Sequence, residues 1–121
     1  MISDTSFQLT LDWQTAAPTT IYMQLPYRCK MKDVAAICQT SIDVDETITV
    51  TYGTTVAAAD TAIGVLTMPT GAGAVGAWVL DTTTGDTVLA ADGYLKFVTS
   101  ASAGNASQCD LNVTLDIYAA G

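Results

Sequence analysis

The sequence predicts an all-β, single-domain β-sandwich of about eight short strands with Greek-key or jelly-roll-like connections. Three observations carry this. Apolar and polar residues alternate with a period of two in several segments, the pattern of a strand with one buried and one wet face. Threonine is the commonest residue, and Thr, Val, Ile and Tyr suit a pleated, half-buried surface. Turn signals separate the segments at short intervals, and no long stretch has the three-to-four spacing of an amphipathic helix.

The elements follow in order. Phe7, Leu9, Leu11 and Trp13 alternate with Gln8, Thr10 and Asp12, a strand closed before Pro18. Thr20 to Leu25 is the second, ended by Pro26, and the third runs from Tyr27 or Arg28 to about Gln39. Within that third run the apolar phase passes from Cys29 and Met31 to Val34, Ala36 and Cys38, so one extra residue must reset it. A β-bulge near Lys32-Asp33 is expected. Asp43-Val44-Asp45-Glu46 reads as a turn, and Ile48, Val50 and Tyr52 alternate with threonines up to Gly53. Thr54 to Asp60 suits a loop or a short helical turn. Ile63 to Met68 is a strand ended by Pro69, and Thr70 to Gly76 is a small-residue loop. Its GxGxxG spacing opens no helix and carries no lysine, so it has none of the context of a phosphate cradle. Trp78 to Leu80 is extended, Thr82 to Asp86 turns, and Val88-Leu89 is a further short extended piece. Asp92-Gly93 is a tight turn into Tyr94 to Ser100, with Gly93 expected to supply the positive φ. After a small-residue loop, Leu111, Val113, Leu115 and Ile117 alternate with polar residues in the last strand. The expected core includes Leu9, Leu11, Ile48, Val50, Leu111, Val113, Leu115 and Ile117.

One domain accounts for 121 residues, with residues 1–19 an N-terminal segment carrying the first strand and 20–121 the sandwich body. Half the residues are hydrophobic and 13% are charged, which supplies enough apolar surface to offset the entropy of ordering. No apolar run approaches the roughly 18 residues that span a bilayer, and Met1-Ile2-Ser3-Asp4 lacks the basic start of a secretion signal, so no membrane partner and synthesis in a cytoplasm are expected. Cys29, Cys38 and Cys109 are odd in number and lack CxxC spacing; the expectation is three free, mostly buried thiols.

The net charge is −8, yet Arg28, Lys30 and Lys32 hold three of the four basic residues. On a strand they form one cationic row, while Cys29 and Met31 point the other way. Such a row either meets an acidic partner or is a solvated face paired with acids such as Asp43, Asp45 or Glu46. Three cations on a chain of pI near 4.1 make a poor footprint for nucleic acid, and no nucleic-acid partner is expected. A chain without histidine has neither a Ser-His-Asp nor a Cys-His arrangement, and no enzyme activity is expected. No cofactor is expected. Asp43, Asp45 and Glu46 are a weak candidate for Ca²⁺, since they lack the EF-hand spacing and its glycine; an acidic turn explains them better. The aromatics, Trp78 among them, suit a core, a subunit contact or a sugar-stacking face. Tyr22 and Tyr27 flank Pro26 at a strand edge, where partner contact is expected.

The segment Ile21-Tyr22-Met23-Gln24-Leu25-Pro26-Tyr27-Arg28-Cys29-Lys30-Met31-Lys32, followed by Ala35-Ala36-Ile37, resembles a pattern in small virion proteins of tailed bacteriophages. There an extended segment ending in proline and an aromatic leads into a cationic strand. Thr47-Ile48-Thr49-Val50, the run Ile63 to Pro69 before a Gly/Ala loop, and the Gly93 turn extend the likeness over about residues 20 to 118. The resemblance implies a head decoration, or cement, protein: a β-rich subunit, often a homotrimer, that binds the major capsid protein on the virion exterior and reinforces the shell. It brings no catalytic residues. A carbohydrate-binding sandwich of a phage fibre or adhesin is the competing expectation.

Overall fold

The computed structural model describes residues 2–14, 18–38, 46–69, 75–100 and 107–118. Eight strands, all paired antiparallel, form two packed sheets. They are β1 (Ile2–Trp13), β2 (Thr20–Gln24), β3 (Cys29–Cys38), β4 (Glu46–Gly53), β5 (Thr61–Met68), β6 (Ala77–Leu80), β7 (Tyr94–Thr99) and β8 (Ser107–Tyr118). One sheet has the order β1-β8-β3 and the other β2-β7-β4-β5-β6. The chain alternates between the sheets from β1 to β4, stays in the five-stranded sheet through β7 and returns at β8, with β8 pairing both β1 and β3 while β7 pairs both β2 and β4. That nesting of the chain's two halves is a jelly-roll order, as the alternating segments lead one to expect.

Alternation places one side of every strand in the core. Leu11, Trp13, Ile48, Val50, Leu66, Phe97, Leu111, Val113 and Leu115 are all buried between the sheets. Leu9 departs from expectation: with Phe7 it is only partly buried, packed against the core, whereas Leu11 and Trp13 of the same strand are covered. The bulge expected near Lys32-Asp33 occurs as a register shift between Met31 and Asp33. A second shift, between Val50 and Thr51 of β4, leaves Ile63 as the extra residue on β5 and turns its side chain into the core.

Four further corrections have physical causes. The first strand starts at Ile2, five residues before Phe7, since Ile2 to Ser6 pair with β8 although their sequence lacks apolar alternation. Leu89 makes only an isolated bridge to Cys29, not a strand. The positive φ of the Asp92-Gly93 turn belongs to Asp92, at 66°. Aspartate tolerates that region, and Gly93 serves instead to admit the Tyr52 ring, 2.7 Å from where a Cβ would stand. Finally, the three cysteines are not all free: Cys38 and Cys109 form a disulfide, and Cys29 alone is a free, buried thiol. Both partners lie on the inward phase of adjacent strands, an adjacency that only the β3-β8 register creates.

Polar ties close both ends of the sandwich. The Trp13 indole N–H donates to the Ser100 carbonyl at 2.7 Å, and the Ala90 N–H donates to the Tyr52 hydroxyl at 2.9 Å.

Candidate functional site

The two outward faces differ in chemistry, and the difference is written into the non-core positions of each strand. On the three-stranded sheet, the outward residues of β1 and β8 include Asp4, Asp12, Asp110 and Asp116, and β3 adds Lys30, Lys32 and Asp33. On the five-stranded sheet, register aligns Thr20, Val98, Thr49, Val65 and Val79 in one row across all five strands. The neighbouring row carries Tyr22, Lys96 and Thr51. Lys96 is the only charged residue in either row.

The cationic row has partners within its own chain. Lys30 Nζ lies 3.5 Å from Asp86, and Lys32 donates to Asp4. Asp4 and Asp116 stand directly opposite on β1 and β8. The hydrogen bond from Lys32 holds the Asp4 carboxyl below the usual aspartate range, helped by one from Asp116, while the adjacent Asp4 raises Asp116. Asp4, Lys32 and Asp86 are exposed and Lys30 and Asp116 half-buried, and water screens charge pairs at such a surface. Arg28, also exposed, precedes β3. Among the described residues, the acids that pair with Lys30 and Lys32 include Asp86 and Asp4.

Asp43 and Asp45 lie outside the described residues. Glu46 opens β4 with a side chain almost wholly buried, where its carboxylate accepts the Ser100 hydroxyl. Among the described residues no group of three or more His, Cys, Asp or Glu is placed to hold a metal ion.

Tyr22 is 42% exposed on the five-stranded face and Tyr27 is 55% exposed in the bend after Pro26. Trp78 packs against the core, with its ring over Gly64, and its buried indole N–H has no hydrogen-bond partner among the described residues. Trp13 is wholly buried. Neither indole offers an open stacking plane.

Two hollows complete the surface. One, about 250 Å³, opens on the five-stranded face among Thr49, Ala62, Val65, Val79, Leu80 and Asp81. Sequence reasoning singled out none of these, because only the pairing of β5 with β6 brings Val65 and Val79 together. The other is a trough of about 660 Å³ on the three-stranded face, where Gln8, Thr10, Asp110 and Asn112 surround Ala35 and Ile37. Asp81 caps the turn after β6: its carboxylate accepts the backbone N–H of Thr83 and of Thr84, each at 2.8 Å, and these bonds lower its pKa.

No family model matches the chain, and neither curated proteins nor solved structures yield a match.

Proposed function

We propose that this chain is a structural virion protein that decorates a phage capsid from outside and reinforces it by binding the major capsid protein lattice. The observation that carries the reading is the five-strand row Thr20, Val98, Thr49, Val65 and Val79 on a molecule of net charge −8. This row of β-branched side chains can be covered without stripping water from charges, a step that costs several kcal/mol per ion. The hollow beside Val65 and Val79 gives it a recess for a protruding side chain, and Tyr22 supplies an amphipathic anchor. A cement role also needs a body that does not yield, and the sandwich is cross-linked from β3 to β8 by Cys38–Cys109. The resemblance over about residues 20 to 118 supplies the identity of the partner; the fold class alone does not, since sandwiches host many functions. No step of this reading is catalytic.

A second reading, a carbohydrate-binding module, is favoured by the polar trough of Gln8, Thr10, Asp110 and Asn112, whose amides and carboxylate suit hydroxyl-rich ligands. It cannot use Trp78 as a platform, because that ring is turned toward the core. Incubation with undecorated capsids and with a glycan array separates the two. Saturable capsid binding that V65D/V79D abolishes supports decoration, whereas glycan binding lost in N112A supports the module.

A further inference from the structure

Two sheets have four outer edges, and three of them are blunted. β2 and β6 are five and four residues long. β3 is interrupted by its bulge and is bridged on its outer side at both ends: Cys29 and Leu89 exchange backbone hydrogen bonds of 3.0 and 2.7 Å, and the Gly76 N–H donates to the Ala36 carbonyl at 3.1 Å. These are the devices by which sheets avoid pairing with other chains. β1 has none of them. It runs twelve residues in unbroken register with β8 and contains no proline, lysine or arginine. Among the described residues its outer side meets only the Thr19 hydroxyl, which donates to the Asp12 carbonyl at 2.6 Å near the strand's end. Among the described residues, that leaves a bare template from Ile2 to Leu11.

We propose that β1 pairs antiparallel with β1 of a second copy of this chain across a two-fold axis, giving a continuous six-stranded sheet β3-β8-β1-β1′-β8′-β3′. A second copy fits for three reasons. Among the described residues no other edge is both long and open, so only β1 matches β1 in length. The register centred on Phe7 sets residue 3 opposite residue 11 and uses just the bare stretch; it places Asp4 opposite Thr10′ and Ser6 opposite Gln8′, so no acids face each other. It also brings Phe7 against Phe7′ and Thr5 against Leu9′ on the inward side, where Phe7 and Leu9 are only partly covered within one molecule. The pairing closes on itself, because the far edge of each three-stranded sheet is already bridged to Leu89 and Val75. It differs from the threefold arrangement that the resemblance implies, which contains no such axis, and it does not depend on capsid binding.

The test is sedimentation velocity and amide hydrogen exchange on the purified protein from low to high micromolar concentration. The expected species is a dimer in which alternate β1 amides between Ser3 and Leu11 gain protection as concentration rises. Its association strengthens with salt, which screens two bodies of like charge. S6K/Q8K sets lysines opposite one another at the axis, and Ser6 gives up only an exposed hydroxyl bond to Thr114. Dissociation should rise at least tenfold with an unchanged circular-dichroism spectrum, although the added lysines lower the net charge. S6K/Q8E, which places opposite charges there, should restore pairing. A monomer throughout, an oligomer indifferent to S6K/Q8K, or β1 protection independent of concentration would each overturn the proposal.

Discussion

Cys38 of β3 and Cys109 of β8 stand directly opposite one another, Cα atoms 4.0 Å apart, and are joined by a disulfide across 71 residues of chain. Cross-linking so long a loop removes entropy from the unfolded chain, worth about 2–4 kcal/mol. Urea unfolding with and without reductant should differ by that amount, and C38S/C109S should match the reduced protein. Cys29, on the same strand, behaves differently. Burial pushes its thiol up to about 11, so it is unreactive while the protein is folded. Alkylation of the native protein should leave Cys29 unmodified.

A Cβ on Gly64 would stand 2.5 Å from the Trp78 ring and 2.7 Å from the Val79 carbonyl oxygen. Gly64→Ala should therefore destabilise by about 1–3 kcal/mol through overpacking. The double variant with Trp78→Ala should recover part of that loss in a double-mutant cycle, since one of the two obstacles is gone.

Carboxyl titration by NMR should resolve three aspartates by environment. Asp4 and Asp81 should protonate below the usual range and Asp116 above it. The signs oppose one another. A lowered pKa contributes stability that is present above the unfolded value and lost as pH falls through the folded one, so Asp4 and Asp81 favour the fold toward neutral pH. For Asp116 the raised value favours the fold in acid, and that contribution is lost as pH rises through it. Lys32→Gln should move Asp4 upward, because the Lys32 hydrogen bond is its largest influence.

Changing Arg28, Lys30 and Lys32 together to Gln should leave the β-sheet circular-dichroism spectrum intact and the urea midpoint little changed, because water screens surface pairs. Both members of the Lys32–Asp4 pair are exposed, and half-buried Lys30 pairs with an Asp86 side chain that is 90% accessible. Failure of this variant to fold would mean that the three charges answer buried acids.

Most of the sandwich was legible because its signal is local. Val113 and Leu115 lie in the core where alternation puts them, and the phase slip after Met31 marked a real bulge. What sequence left hidden depends on which strands become neighbours. The Cys38–Cys109 bond, the Val65–Val79 pair and the bare outer side of β1 all follow from sheet order, which no single segment encodes. Leu9 shows the same limit, since the alternation that predicts its inward direction says nothing of whether a second sheet covers it. The cationic row was visible as charge, but its partners Asp4 and Asp86 are 28 and 56 residues from Lys32 and Lys30.

The central claim is that the five-stranded face, through its row Thr20, Val98, Thr49, Val65 and Val79, seats this protein on a capsid. Its most direct measurement is a binding isotherm to expanded, undecorated phage capsids, comparing wild type with V65D/V79D and with the Gln variant of the cationic row. Saturable binding by wild type and by the row variant, weakened at least tenfold in V65D/V79D while its fold is retained, is the predicted result. Equal binding by wild type and V65D/V79D, or no saturable binding by wild type, would contradict it.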